Sequence, residues 1–149
     1  MSLLQGRAYA VQTAGTMPSS SLSSGTQNGP LPTPDLSGLD EYTKQLVFAS
    51  RNAEEGDWEM ALEHLHKAEK LKTDDPHLYE MYGVVYDSNR ESDKAVNNFK
   101  KAGEMYFNEG NMEKALRMLG WLKTFNLDAQ TIVKFENKIK ERQRMINQK

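Results

Sequence analysis

The sequence of 149 residues contains no cysteine, which excludes disulfide bridges and zinc sites built on thiolates. It also lacks any run of about 18 apolar residues, which a membrane-spanning helix would need. The N-terminus has neither the basic start nor the apolar core of a secretory signal. Arg7 is its only charged residue before Asp35, whereas a mitochondrial presequence is rich in arginine. We therefore expect a soluble, cytoplasmic protein.

A strong charge of either sign is also lacking, because the formal net charge is −2. So small a charge gives no general reason to expect nucleic acid or a membrane as the partner. The charges are nevertheless unevenly placed, since acidic residues predominate in residues 35–75 and basic residues predominate in 129–149. The folded part is thus acidic at its start and basic at its end.

Residues 1–38 are rich in Ser, Thr, Gly and Pro and poor in apolar side chains. Such a segment cannot bury enough apolar surface to offset the entropy of ordering it, so we expect a disordered tail. The remaining residues, about 110, are enough for one domain. We divide them into helical repeats at 39–127 and a last helix at 128–149.

From Leu39 onward the apolar residues recur at helical spacing, and no alternating strand pattern interrupts them. The class is therefore all-α, with about six helices. The helix that follows Pro76 is apolar nearly all round, so we expect it to lie at the centre. Residues typical of helix N-caps are expected to cap five of the helices: Asp57, Asp75, Ser92, Asn111 and Asp128.

One sequence segment recurs in altered form: GDWEMALEHL at 56–65 is similar to GNMEKALRML at 110–119. In addition, Ala95 follows Ala61 by 34 residues, which is the period of the tetratricopeptide repeat. Over roughly residues 42–124 the chain resembles that family of helical hairpins. The resemblance is carried by Phe48, Ala49, Gly56, Asp57, Trp58, Ala61, Leu65 and Ala68 in the first hairpin, and by Tyr79, Tyr82, Gly83, Tyr86, Ala95, Phe99 and Ala102 in the second.

Small residues at these positions let neighbouring helices approach closely. Gly83 should face the helix that carries Ala61 or Ala95, with room there for alanine but not for leucine. The third copy is irregular, because Ala115 follows Ala95 by only 20 residues. One helix should therefore serve both the second and the third repeat, since it also fits a first-helix pattern at Phe99, Ala102, Gly103 and Tyr106. The resemblance implies a tetratricopeptide-like α-solenoid of antiparallel helical hairpins, with 128–149 as its polar capping helix.

The sequence offers no catalytic or metal-binding pattern. It has no G-x-S-x-G nucleophile motif and no glycine-rich phosphate loop. His64 and His66 are two residues apart on a helix, so their rings should point to different sides. We expect neither an enzyme nor a metal or other cofactor.

Two other clusters have alternative interpretations. Tyr79, Tyr82 and Tyr86 could line a ligand pocket, but their spacing places them on one stripe, which favours core packing. The basic residues of the last helix could contact phosphate. Their charges are interrupted by Glu136 and Glu141, which is typical of a solvated cap.

The resemblance implies a concave groove, lined by the first helices of the hairpins, in which a partner peptide lies. By position, the groove residues would be Thr43, Leu46, Ser50, Ala53, His77, Glu80, Val84, Asp87, Asn97, Lys100 and Glu104. The places where some relatives carry a basic clamp for chaperone tails hold Leu46, Ser50 and Met81 here, which disfavours that role. A mixed apolar and acidic groove suits an amphipathic or basic segment better.

These observations favour a non-enzymatic adaptor or chaperone that binds a peptide or helix of another protein. Bacterial type III secretion chaperones are similar in size and all-helical, and would be a more specific version of this function. The alternative is a structural subunit that assembles with copies of itself, its acidic start meeting the basic end of the next. A general scaffold is equally compatible with the repeat.

Overall fold

The computed structural model describes residues 32–125 and 127–149. Six α-helices and no strand occur in this part of the chain, which confirms the all-α prediction. None of them is both long and apolar enough to cross a membrane. The prediction of a disordered tail falls mainly on residues 1–31, which lie outside the described residues. The helices are α1 (Glu41–Glu54), α2 (Trp58–Leu71), α3 (Pro76–Ser88), α4 (Ser92–Asn108), α5 (Met112–Leu122) and α6 (Ala129–Asn147).

Side-chain caps begin five of the six helices. The carboxylates or amide oxygens of Asp57, Asp75, Asn111 and Asp128 accept backbone N–H hydrogen bonds as predicted, and Asp40 does the same for α1. The prediction for Ser92 is wrong: Ser92 is the first helical residue of α4. The N-cap of α4 is Glu91, whose side chain makes no capping hydrogen bond.

The turns α1–α2, α3–α4 and α4–α5 share one geometry. Each holds a residue with positive φ, namely Gly56 (79°), Arg90 (63°) and Gly110 (81°). In each, this residue donates its N–H to the carbonyl three residues back, and the next residue donates to the carbonyl five residues back. These are the two hydrogen bonds of a Schellman motif. The motif thus recurs after 34 and then after 20 residues, the two spacings of the sequence repeat.

The core is formed by consecutive helices packed on one another. The most extensive contacts join α1 to α2, α3 to α4 and α4 to α5, so α4 packs on both of its neighbours in the chain. α6 packs on α5, and α1 also contacts α3. Small residues are fully buried where the helices meet: Ala49, Ala61, Ala68, Ala95, Ala102 and Ala115.

Two glycines mark the closest approaches between helices. A Cβ added at Gly83 of α3 would lie 2.6 to 2.9 Å from ring atoms of Phe99 on α4. One added at Gly103 of α4 would lie 3.1 Å from Met118 on α5 and from Phe135 on α6. Gly83 faces α4, one of the two helices that the repeat pattern predicted. It faces an aromatic ring there, and the structure leaves less room than alanine requires.

Candidate functional site

The predicted binding residues of α1 and α3 lie on two helices that are in contact. Leu46, Ala53 and Val84 are partly buried and pack against the core. Ser50 and Asp87 are also partly buried, and His77 is exposed. Thr43 is partly buried, and its hydroxyl donates a hydrogen bond to the Asp40 carboxylate at 3.1 Å, as part of the α1 cap. We call these seven residues the α1–α3 face. It combines three apolar side chains with two small hydroxyl side chains, the His77 imidazole and one carboxylate, that of Asp87.

Glu80 behaves differently, because its carboxylate is engaged inside the protein. Its side chain is only 13% exposed. Oε2 accepts hydrogen bonds from the Tyr106 hydroxyl of α4 at 2.8 Å and from Arg117 of α5 at 3.0 Å. Arg117 also lies 2.8 Å from Oε1, and the His77 ring is 3.7 Å from Oε2. Glu80 therefore ties three helices together.

The electrostatics of this cluster follow from its contacts. Burial acts to raise the pKa of Glu80, but the neighbouring His77 ring, the Tyr106 hydroxyl and the Arg117 guanidinium outweigh it and hold the pKa below its usual value. Burial, followed by the Glu80 charge, raises the pKa of Tyr106. The pair is thus held as carboxylate and neutral phenol. Such a carboxylate can stabilise the fold, but its oxygens are already partnered.

The predicted residues of α4 lie at another place. Lys100 and Glu104 line a crevice of about 360 Å³ together with residues of α5 and α6, and no described residue of α1 or α3 is part of its lining. Asn97 is exposed, one turn before Lys100. The structure therefore separates the predicted site residues: seven form the α1–α3 face, Lys100 and Glu104 line what we call the α4–α6 crevice, and Glu80 and Asn97 belong to neither.

Sequence reasoning missed most of the α4–α6 crevice. Leu119 and Leu122 of α5 are each 2% exposed and form its floor with the partly buried Ile132 and Phe135 of α6. Thr131, Lys134 and Lys138 of α6 complete the lining. The sequence signal was the helical spacing of the apolar Ile132 and Phe135 within 128–149, a segment for which the repeat resemblance implied only a capping role.

The tyrosines of α3 are packing residues, as predicted. Tyr79 and Tyr82 are each 3% exposed. Their rings stack at 6.4 Å, and the Tyr82 and Tyr86 rings stack at 6.0 Å. Burial, followed by the Glu69 charge, raises the pKa of Tyr82. Lys101 lies over the Tyr79 ring at 3.6 Å, so this stripe is covered from α4.

The two neighbouring histidines have different partners. His64 Nδ1 lies 2.7 Å from Gln45 of α1, whereas His66 Nδ1 lies 2.6 Å from the Tyr82 hydroxyl of α3. Their rings therefore point to different sides. In the described ranges, no group of three His, Asp or Glu side chains is placed to hold a metal ion.

Several basic side chains of α6 already contact other residues of the protein. Lys138 and Arg142 lie over the buried Phe107 ring at 4.7 and 4.8 Å, and Lys140 pairs with Glu136 at 3.1 Å.

Comparisons of the chain with protein-family models, with curated proteins and with solved structures found no match.

Proposed function

We propose that this chain is a tetratricopeptide-like helical-repeat protein that binds a peptide or helical segment of another protein without catalysing a reaction. The repeat assignment is supported by the Schellman motif that recurs at Gly56, Arg90 and Gly110. It is also supported by the packing of α4 on both α3 and α5, which is what a helix shared between two repeats requires.

The α1–α3 face is the proposed binding surface. The observation that carries this assignment is the pair Leu46 and Val84, two apolar side chains that stay partly exposed on adjacent helices although they pack against the core. The small Ser50 and the exposed His77 lie on the same two helices. A partner helix could bury its apolar stripe on the pair and make polar contacts around it.

Three substitutions on this face test the proposal. Leu46→Glu and Val84→Glu place a charge where apolar contact is expected, and Ser50→Arg adds bulk without removing a core side chain. The matched control is Met60→Glu on α2, which changes an apolar residue that is 36% exposed outside the face. Each variant is used as bait for affinity capture, with partners identified by mass spectrometry, and thermal melts check that it is folded.

A partner captured by the wild type and by Met60→Glu, and lost from Ser50→Arg and at least one glutamate variant, is the expected result. Equal capture by all folded variants would contradict the surface assignment. A partner that is insoluble when expressed alone would favour a chaperone, and one that is soluble alone would favour an adaptor.

Self-assembly remains the second candidate, because α6 exposes large apolar side chains. Val133, Met145 and Ile146 are 49%, 56% and 54% exposed. Light scattering over a concentration series tests it: a mass that rises with concentration, and that falls to the monomer in a Met145→Glu, Ile146→Glu double variant, would support assembly. A monomer at every concentration would remove this candidate.

A further inference from the structure

The α4–α6 crevice is an open depression with an apolar floor. Leu119 and Leu122 are buried at its base, and Ile132 and Phe135 form its α6 side. Its volume of about 360 Å³ is within the range of protein pockets that hold ligand groups, roughly 300 to 1,000 Å³. The floor therefore has room for apolar side chains from a docked segment.

The rim of the crevice is mainly basic. Lys100 of α4 lies among the lining residues with Lys134 and Lys138, which are one helical turn apart on α6. Glu104 contributes a negative charge. Within residues 32–125 and 127–149, no carboxylate forms an ion pair with any of these three lysines. The Lys138 Nζ lies 4.7 Å from the centre of the Phe107 ring, with which it makes a cation–π contact.

An apolar floor with a rim of three lysines and one glutamate selects the chemistry of its occupant. A nucleic-acid duplex would match the lysines but would leave the leucine and phenylalanine floor without a partner, since its outer surface is a charged backbone. A basic segment would place like charges against the rim. An amphipathic helix with apolar residues on one stripe and carboxylates beside them matches both features.

We propose that the α4–α6 crevice binds an acidic amphipathic segment of a partner protein, with apolar side chains on Leu119, Leu122 and Ile132 and carboxylates on Lys100, Lys134 and Lys138. This site lies apart from the α1–α3 face and does not depend on the function proposed for that face.

Selection from a library of random displayed peptides on the full-length protein tests the proposal without assuming a partner. Parallel selections use the wild type, a Lys134→Glu, Lys138→Glu double variant, and Lys70→Glu as a single charge-reversal control on α2. We expect the wild type and Lys70→Glu to enrich acidic peptides with helically spaced apolar residues. Synthetic versions should bind the double variant about tenfold more weakly in fluorescence anisotropy. The same peptides should also shift the backbone amide NMR resonances of Ile132 and Phe135 in the wild-type protein.

The same set of variants also distinguishes other possible occupants of the α4–α6 crevice. Enrichment of basic or uncharged peptides, no enrichment at all, or equal affinity for the double variant would overturn the proposal. Sedimentation with phosphatidylserine vesicles that is lost in the double variant, without peptide binding, would assign the crevice to a membrane surface instead. Concentration-dependent dimerisation lost in the double variant, again without peptide binding, would assign it to a second copy.

Discussion

Replacement of Gly83 by alanine is expected to destabilise the protein, although alanine is the better helix former. Gly83 lies inside α3, where propensity alone would make alanine more stable by about 1 kcal/mol. The added Cβ would lie 2.6 to 2.9 Å from three atoms of the Phe99 ring, which is closer than packed carbon atoms can lie. The sign of the effect therefore depends on whether this ring can move.

Phe99 has little freedom to move. It is fully buried, and its ring stacks on Trp121 at 5.1 Å and lies 6.1 Å from the Phe125 ring. Inserting a methyl group into a packed core typically costs about 1 to 3 kcal/mol. The helix-propensity gain of alanine offsets part of this cost. We therefore expect Gly83→Ala to lower the free energy of unfolding by about 1 kcal/mol, and Gly83→Leu to lower it by more than about 2 kcal/mol.

Gly120 provides the matched control. It lies inside α5, is exposed, and a Cβ there would have nothing within 4 Å. Gly120→Ala should therefore raise the stability by about 0.5 to 1 kcal/mol. Urea unfolding followed by circular dichroism measures both variants in parallel. If Gly83→Ala is as stable as Gly120→Ala, the close contact between α3 and the Phe99 ring is refuted.

Three further predictions concern stability. Arg90→Gly should stabilise the protein by about 0.5 to 1 kcal/mol in thermal melts because Arg90 has a φ of 63°, whereas Arg90→Ala should give no such gain. The lowered pKa of Glu80 contributes stability that is present above its unfolded pKa and lost as pH falls through the folded value. Urea melts at a series of pH values should thus show the wild type losing its advantage over Glu80→Gln below about pH 4.5, the ordinary Glu value, and an unchanged difference would contradict the cluster. Deletion of residues 1–38 should shift the melting temperature by only a few degrees, the effect of less than about 1 kcal/mol, and a large drop would show that the tail docks on the domain.

Local signals in the sequence predicted the helices well. Asp57, Asn111 and Asp128 are short polar side chains before apolar stripes, and each caps the predicted helix because capping depends on residues three positions apart. Ser92 misled the prediction for a local reason as well. The Schellman hydrogen bond from the Glu91 N–H to the Tyr86 carbonyl fixes the turn one residue earlier, so Ser92 already lies inside the helix.

Contacts between residues that are distant in the sequence could not be predicted from such local signals. The repeat predicted that Gly83 meets a neighbouring helix, but which side chain fills the space depends on the register of α3 against α4. The assignment of Lys100 and Glu104 to the groove followed from treating α4 as a first helix. Their actual neighbours on α6 are set by how α6 docks, for which the repeat pattern holds no information.

Site-specific photocrosslinking tests the central claim, that a partner binds the α1–α3 face, most directly. A benzophenone amino acid is placed at the exposed His77 on α3, and in a control protein at the exposed Glu63 on α2. Irradiation in a lysate should give a discrete adduct with another protein from position 77, reduced by Ser50→Arg, and none from position 63. An adduct of equal yield from both positions, or from position 63 alone, would contradict the assignment of the α1–α3 face as the binding surface.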